Sequence, residues 1–157
     1  MEMSRWLIAR ASIFLWIMGL IKRMTIGVRV ILIDGDKVLL IKHSYIPGWH
    51  FPGGGVDHAE TIDEAAVREV REETGYEIKA PLEFFAHYIN TIPPRRDHVA
   101  VFVSHDFAKA DEFVRNREII EIGWFPLAEL PADASKATVA RLEELAGDKA
   151  RARSWRD

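Results

Sequence analysis

Residues 53–76, GGGVDHAETIDEAAVREVREETGY, set three consecutive glycines directly before the strongest helix pattern in the chain. Thr61 and Glu64 have the spacing of a capping box, and Gly75 stands where a helix commonly ends. Glycines let the backbone adopt positive φ angles and approach a bound group closely. The segment therefore predicts a glycine loop followed by a helix over residues 61–74.

Three glutamates, Glu69, Glu72 and Glu73, are related by i, i+3 and i+4 on this helix. Side chains at these spacings share one face, and like charges there cost about 0.2 to 0.5 kcal/mol per pair. A solvated face with Arg68 pairing its neighbours is one interpretation. The other is a metal site, because Mg²⁺ and Mn²⁺ prefer carboxylate oxygens and the glycines could admit a diphosphate.

The same segment resembles the Nudix box, the signature of the Nudix (MutT-like) hydrolases. Its fixed positions are all filled, by Gly54, Glu60, Arg68, Glu69, Glu72, Glu73 and Gly75. A pattern with this many fixed offsets is far more specific than a lone glycine motif. The resemblance runs over residues 25–131 and includes the PGGG and WFPLAELP stretches. It implies an α+β fold, the Nudix α/β/α sandwich with a mixed sheet.

The resemblance implies an enzyme, a Nudix diphosphohydrolase (pyrophosphatase) that depends on Mg²⁺, with Mn²⁺ as a substitute. Its expected substrate is a small molecule in which a nucleoside diphosphate is linked to another moiety, of the nucleoside triphosphate, ADP-ribose or nucleotide-sugar type. Water would attack one phosphorus of the pyrophosphate. A catalytically inactive nucleotide-binding or regulatory module is the alternative, but none of the box carboxylates is eroded. The isomerase branch of the same fold needs a catalytic cysteine, and the chain has zero Cys.

The resemblance implies two groups of site residues, one that binds metal and one that lies beside the substrate. Glu69, Glu72 and Glu73 would bind metal, and one of them, or a carboxylate from a later loop, would accept the proton of the water. Arg68 would orient Glu69. Gly54 and Gly55 would give the backbone its course beside the substrate phosphates, and Glu60 would support the geometry of loop and helix or reach the metal through water. Many members have glycine directly before the first box glutamate, whereas this chain has Ala59.

Further candidates lie outside the box. Glu118 and Glu121 are the candidates for the later carboxylate, and Glu118 is the favoured metal ligand, with a solvated loop acid as the alternative. Arg95 and Arg96 could hold additional phosphates, because guanidinium groups bind phosphate oxygens in a bidentate manner. His58 is interpreted as a loop histidine, since hard Mg²⁺ prefers oxygen ligands.

Alternating β-branched residues predict strands on both sides of the box. Residues 25–33 and 37–44 flank an Asp-Gly-Asp turn and predict a hairpin. Further strands are predicted at residues 49–51, 82–90 and 98–107 and around Trp124, with a C-terminal helix over residues 135–146. This order predicts a mixed α+β sandwich.

The first 24 residues are predicted to form an accessory apolar helix, followed by the hydrolase domain over residues 25–157. The longest apolar run, residues 11–21, is shorter than the roughly 20 residues that a membrane span needs. A signal peptide is disfavoured by the absence of a small-residue cleavage pattern. Packing on this domain, a homodimer contact, or a membrane-surface contact through residues 1–22 remain the alternatives.

The net charge and the cysteine content limit the expected partners and the expected cellular compartment. The net charge is −3 over 157 residues, so no overall basic field would attract nucleic acid, and none is expected as a partner. The absence of cysteine excludes disulfides and thiolate sites and fits a reducing compartment. A cytoplasmic location is therefore expected.

Overall fold

The computed structural model describes residues 24–92 and 95–156, for which the side chains of residues 91, 92, 95 and 96 are not described. The predicted N-terminal helix lies outside this part. The strands are β1 Met24–Asp34, β2 Lys37–His43, β3 Trp49–His50, β4 Tyr76–Ile78, β5 Glu83–Ile92, β6 Arg95–Ser104, β7 Phe107–Lys109 and β8 Ile119–Pro126. The helices are α1 Ile62–Thr74 and α2 Lys136–Ala146. Within the described residues, no helix is long and apolar enough to cross a membrane.

A mixed sheet forms the centre of the fold. Its strand order is β3-β2-β1-β6-β5, and β8 pairs with β2. β1 runs parallel to β6, with Val28 opposite Ala100, while the other pairings are antiparallel. A separate two-stranded sheet joins β4 and β7, which the sequence did not predict. The hairpin of β1 and β2, with Ile33 opposite Val38, is confirmed.

The alternation along β1 divides the core between the two faces of the sheet, because successive side chains of a strand point to opposite faces. Val28, Val30 and Leu32 pack with the helix α1. Ile31 and Ile33 belong to a second cluster on the other side, which also includes Leu142 of α2. The predicted α/β/α sandwich is therefore confirmed.

Both ends of α1 are held as its sequence predicts. Thr61 accepts a hydrogen bond from the backbone N–H of Glu64, whose carboxylate in turn accepts from the N–H of Thr61. At the other end, the Gly75 N–H donates to the carbonyl of Arg71 at 3.0 Å. The buried face of the helix includes Ala65, Ala66 and Val70. These contacts fix the rotation of α1 and therefore the direction of its glutamates.

Candidate functional site

The glycine loop runs along β1. The backbone N–H of Val28 donates to the carbonyl of Gly54, and that of Val30 to the carbonyl of Pro52, both at 2.9 Å. Gly53 has a φ of 139°, and a Cβ there would lie 2.1 Å from the carbonyl oxygen of Val28. Only glycine fits this close approach. The loop is thus locked to the sheet beside α1.

Arg29 reinforces the loop from within β1. Its Nη1 donates to the carbonyl of Phe51 at 3.1 Å and to that of Gly53 at 2.5 Å. Arg29 was not predicted from the sequence as a site residue. A charged side chain between Val28 and Val30 in an otherwise apolar strand was the available signal.

Glu73 is the buried carboxylate of the site. Its side chain Oε2 accepts the Gly53 N–H at 2.6 Å, and the residue is 6% exposed. Burial raises the pKa of Glu73 to about 8, although the bond from Gly53 and the charge of Arg29 act in the opposite direction. Glu69 and Glu118 add to the increase. A nearby cation would favour the charged form of this carboxylate.

Glu69 lies against the glycine loop. Arg68 Nη1 donates to its Oε1 at 2.8 Å. A Cβ on Gly54 would lie 2.5 Å from the same oxygen, so this glycine makes room for the carboxylate. Burial raises the pKa of Glu69, while the hydrogen bond and charge of Arg68 oppose that change.

Arg68 connects several of the predicted site residues. Its Nε donates to Glu60 Oε1 at 2.8 Å, and its Nη2 donates to the Gly55 carbonyl at 3.0 Å. The Arg68 hydrogen bond, followed by the Asp57 N–H, lowers the pKa of Glu60 to about 2. Glu72 Oε2 accepts from Arg68 Nη1 at 3.3 Å, but this side chain is 62% exposed.

Ala59, the departure from the family pattern, adopts a φ of 66°. This left-handed conformation favours glycine and is uncommon for alanine. At Ala59 the loop therefore has a backbone conformation that glycine adopts more readily.

Glu73 and Glu118 lie close together at one end of the site. Potential ligand atoms of His43, Glu73 and Glu118 all lie within 4.8 Å of one another. Glu118 Oε1 also accepts from the Tyr45 hydroxyl at 3.0 Å. Burial, then this hydrogen bond, raises the pKa of Tyr45 to about 12.

His43 was missed by the sequence analysis, which considered only His58 as a histidine near the box. His43 is 5% exposed, and neither ring nitrogen has a hydrogen-bond partner among the described residues. Burial lowers its pKa to about 4, with smaller contributions from Arg29 and His50. Its imidazole is therefore neutral at pH 7.

The predicted residues thus occupy three different environments. Glu73 and Glu118 lie in the compact group with His43, Glu69 packs on Gly54, and Glu72 faces solvent. A cavity of about 270 Å³ is lined by the loop glycines and by the ends of β1, β5 and β6, including Gly54, Gly55, Asn90 and Asp97. The side chains of Arg95 and Arg96 lie outside the description.

Two curated proteins are among the similar sequences. A putative 8-oxo-dGTP diphosphatase of Bacillus subtilis is 49% identical over 47 residues, which cover 30% of this chain and 32% of that protein. An NAD-capped RNA hydrolase, NudC, of Pseudomonas aeruginosa is 30% identical over 122 residues, 76% of this chain and 42% of that protein. The chain thus spans less than half the length of these curated relatives.

A crystal structure of a MutT NUDIX hydrolase from Burkholderia pseudomallei is similar in fold. It superimposes with a TM-score of 0.70 at 26% identity, covering 78% of this chain and 98% of the other. The family model of the NUDIX domain matches residues 23–145, which include the glycine loop, α1 and Glu118. By its sequence over most of its length and by its fold, this chain belongs to the NUDIX domain family.

Proposed function

We propose that the chain is a divalent-metal-dependent Nudix pyrophosphatase that acts on a nucleoside diphosphate linked to another moiety. The observation that carries the proposal is the placement of Glu73. This buried carboxylate lies within reach of Glu118 and accepts a hydrogen bond from the glycine loop. A buried carboxylate beside a second carboxylate is stabilised in its charged form by a cation.

The donor set fits Mg²⁺ or Mn²⁺. Carboxylate oxygens are the preferred ligands of these hard cations, which usually keep open positions for water and phosphate oxygens. Both ring nitrogens of His43 are buried and have no hydrogen-bond partner among the described residues. A nitrogen atom at this end of the site is therefore available to bind a cation. Glu69, Glu72, Glu73 and Glu118 would hold the metal.

When bound, the cation would neutralise the diphosphate, polarise its P–O bonds and lower the pKa of water. Gly54 and Gly55 would lie beside the phosphates, because they line the adjoining cavity. Arg68 would hold Glu69 in position through their hydrogen bond. Arg95 and Arg96 remain candidates for binding additional phosphates.

In the proposed reaction, a water oxygen forms a bond to one phosphorus of the pyrophosphate. The bond from that phosphorus to the bridging oxygen breaks, and the electron pair stays with the leaving phosphate. One carboxylate among Glu69, Glu72, Glu73 and Glu118 accepts the proton of the water. The products are two phosphate-terminated molecules, and no covalent enzyme intermediate is needed.

The relatives' names support a nucleotide substrate class. They describe a diphosphatase of 8-oxo-dGTP and a hydrolase of NAD-capped RNA. We propose that this chain acts on a small molecule that contains a nucleoside diphosphate. A screen of nucleoside triphosphates, ADP-ribose, dinucleoside polyphosphates and nucleotide sugars, with Mg²⁺ or Mn²⁺, would identify it from the released products.

The variants Glu72→Gln and Glu73→Gln test the assigned site. Each should reduce kcat/KM by about 100-fold or more, equivalent to about 2.7 kcal/mol in the activation barrier. Glu83→Gln, an exposed glutamate on β5, is the matched control and should retain turnover. Normal turnover by both box variants would contradict the assignment. Nucleotide binding by the wild type without any hydrolysis would instead indicate a regulatory module.

A further inference from the structure

We propose that His43 is a nitrogen ligand of a divalent cation that Glu73 and Glu118 also bind, forming a mixed site that accepts Mn²⁺, Co²⁺ or Zn²⁺ more readily than Mg²⁺. The inference rests on the proposed function, because it assigns a further ligand to the same site. It also makes a separate claim, since a metal site built from carboxylates alone would give no role to the histidine.

The backbone places His43 at this position by pairing distant parts of the chain. β2 runs antiparallel to β8, with His43 opposite Ile119, so that the histidine lies beside Glu118. The register shifts between Lys42 and His43. Such irregularities often redirect a side chain next to a functional site. The Ser44 N–H then donates to the Glu118 carbonyl at 2.8 Å, which fixes the two segments together.

The spacing of the three side chains suits one ion. Their ligand atoms lie within 4.8 Å of one another. Opposite ligands at about 2.1 Å from a shared ion are about 4.2 Å apart, and adjacent ligands are closer. Small side-chain rotations are therefore enough to bring all three atoms to one cation.

The imidazole itself lacks the partners that a buried polar group normally has. His43 is 5% exposed, and both its nitrogens are without hydrogen bonds within the described part of the chain. The rings of Tyr45 and His50 pack nearby, with centroids 5.1 and 5.7 Å from that of His43. These neighbours fill space around the ring but form no hydrogen bond to it. A metal ion would supply a partner for one nitrogen, and water could supply one for the other.

Ligand chemistry then gives the preference among metals. Mg²⁺ favours an all-oxygen environment, whereas imidazole nitrogen suits first-row transition metals. One nitrogen and two carboxylates form a donor set that should favour Mn²⁺, Co²⁺ and Zn²⁺. Replacing His43 should remove most of this preference and leave the oxygen ligands of the site in place.

The test uses the metal-free 157-residue chain, titrated with Mn²⁺. Pulsed electron paramagnetic resonance detects ¹⁴N coupling when an imidazole binds Mn²⁺ directly, and the same titration gives the Kd. We expect nitrogen coupling in the wild type. His43→Gln should lose it and weaken Mn²⁺ binding by about tenfold or more, with a smaller effect on Mg²⁺. His50→Gln is the matched control, because it removes the neighbouring ring. It should keep the nitrogen coupling and the Mn²⁺ affinity of the wild type.

Absence of nitrogen coupling in the wild type, or its persistence in His43→Gln, would overturn the inference. Circular dichroism and thermal unfolding check that each variant is folded, and His43→Asn replaces His43→Gln if the latter fails that check. If neither His43 variant folds, nitrogen coupling in both the wild type and His50→Gln supports the inference, and absence of coupling from the wild type overturns it. Nitrogen coupling in a protein without turnover would leave the inference standing and refute the proposed function. Turnover that depends on Glu73 but occurs without nitrogen coupling would support the proposed function and refute the inference about His43.

Discussion

Glu73 and Glu60 are both glutamates of the same site, but their pKa values are shifted in opposite directions. Burial raises the pKa of Glu73 to about 8. Glu60 accepts hydrogen bonds from Arg68 and from the Asp57 N–H, and these hold its pKa at about 2. Glu73 is therefore suited to binding a cation. Glu60 is already paired with Arg68 and holds that side chain beside Glu69.

The ion pair of Glu60 and Arg68 makes the free energy of unfolding depend on pH. Because its folded pKa lies below the ordinary value of 4.5, its contribution is present above pH 4.5 and is lost as pH falls towards 2. Glu60→Gln should therefore lower the midpoint of urea unfolding at pH 7. The difference from the wild type should shrink between about pH 4.5 and pH 2.

Urea unfolding at several pH values checks this, with Glu83→Gln as the control, since Glu83 is exposed and outside the Arg68 network. A difference between wild type and Glu60→Gln that stays constant down to pH 2 would show that the ion pair is not its source.

At the scale of elements, the site depends on the contact between the glycine loop and α1. The loop is fixed to β1 by backbone hydrogen bonds, and Glu73 ties it to the helix through the Gly53 N–H. Gly54 faces Glu69, while a Cβ on Gly55 would meet nothing within 4 Å. The two adjacent glycines therefore have different structural roles.

Gly54→Ala should displace the whole Glu69 carboxyl group, because the new Cβ would lie 2.5 Å from Oε1 and 2.9 Å from Oε2. We expect Mn²⁺ affinity to fall by about tenfold, with the fold retained. Gly55→Ala is the matched control and should bind Mn²⁺ as the wild type does. Isothermal titration calorimetry of both variants measures the difference, and equal affinities would contradict the role given to Gly54.

Local signals explain which elements could be predicted. The capping box and the terminal glycine mark the two ends of α1. The Nudix box fixes the spacing of its glutamates. β4 and β7 are only 3 residues each and pair across a long separation, so alternation within either one carries little information. His43 was missed for a similar reason. Its proximity to Glu118 depends on the pairing of β2 with β8.

On the scale of the whole molecule, α2 is anchored to the sheet by a buried polar network. Arg141 Nη2 donates to Glu144 Oε1 at 2.8 Å, and the Tyr88 hydroxyl donates to Glu144 Oε2 at 2.6 Å. The Arg141 guanidinium also lies 4.2 Å from the centre of the Tyr88 ring. Burial, followed by the bond to Glu144, raises the pKa of Tyr88. The network joins the second layer of the sandwich to β5.

Glu144→Gln should destabilise the protein by about 3 to 5 kcal/mol, because it removes the charge that compensates the buried Arg141. Glu143→Gln is the control, since the neighbouring Glu143 pairs with Lys149 at the surface and should contribute about 1 kcal/mol or less. Urea unfolding measures both. Similar losses for the two variants would mean that the buried network does not anchor α2.

The central claim is that the carboxylates of α1 bind a divalent cation together with a diphosphate. The most direct measurement is the Kd of Mn²⁺, followed by electron paramagnetic resonance, with and without a non-hydrolysable methylene-bridged nucleoside diphosphate. We predict that the nucleotide tightens Mn²⁺ binding in the wild type and that a Glu69→Gln, Glu73→Gln double variant loses this binding while staying folded. Equal Mn²⁺ affinity in the wild type and the double variant, with nucleotide present, would contradict the account.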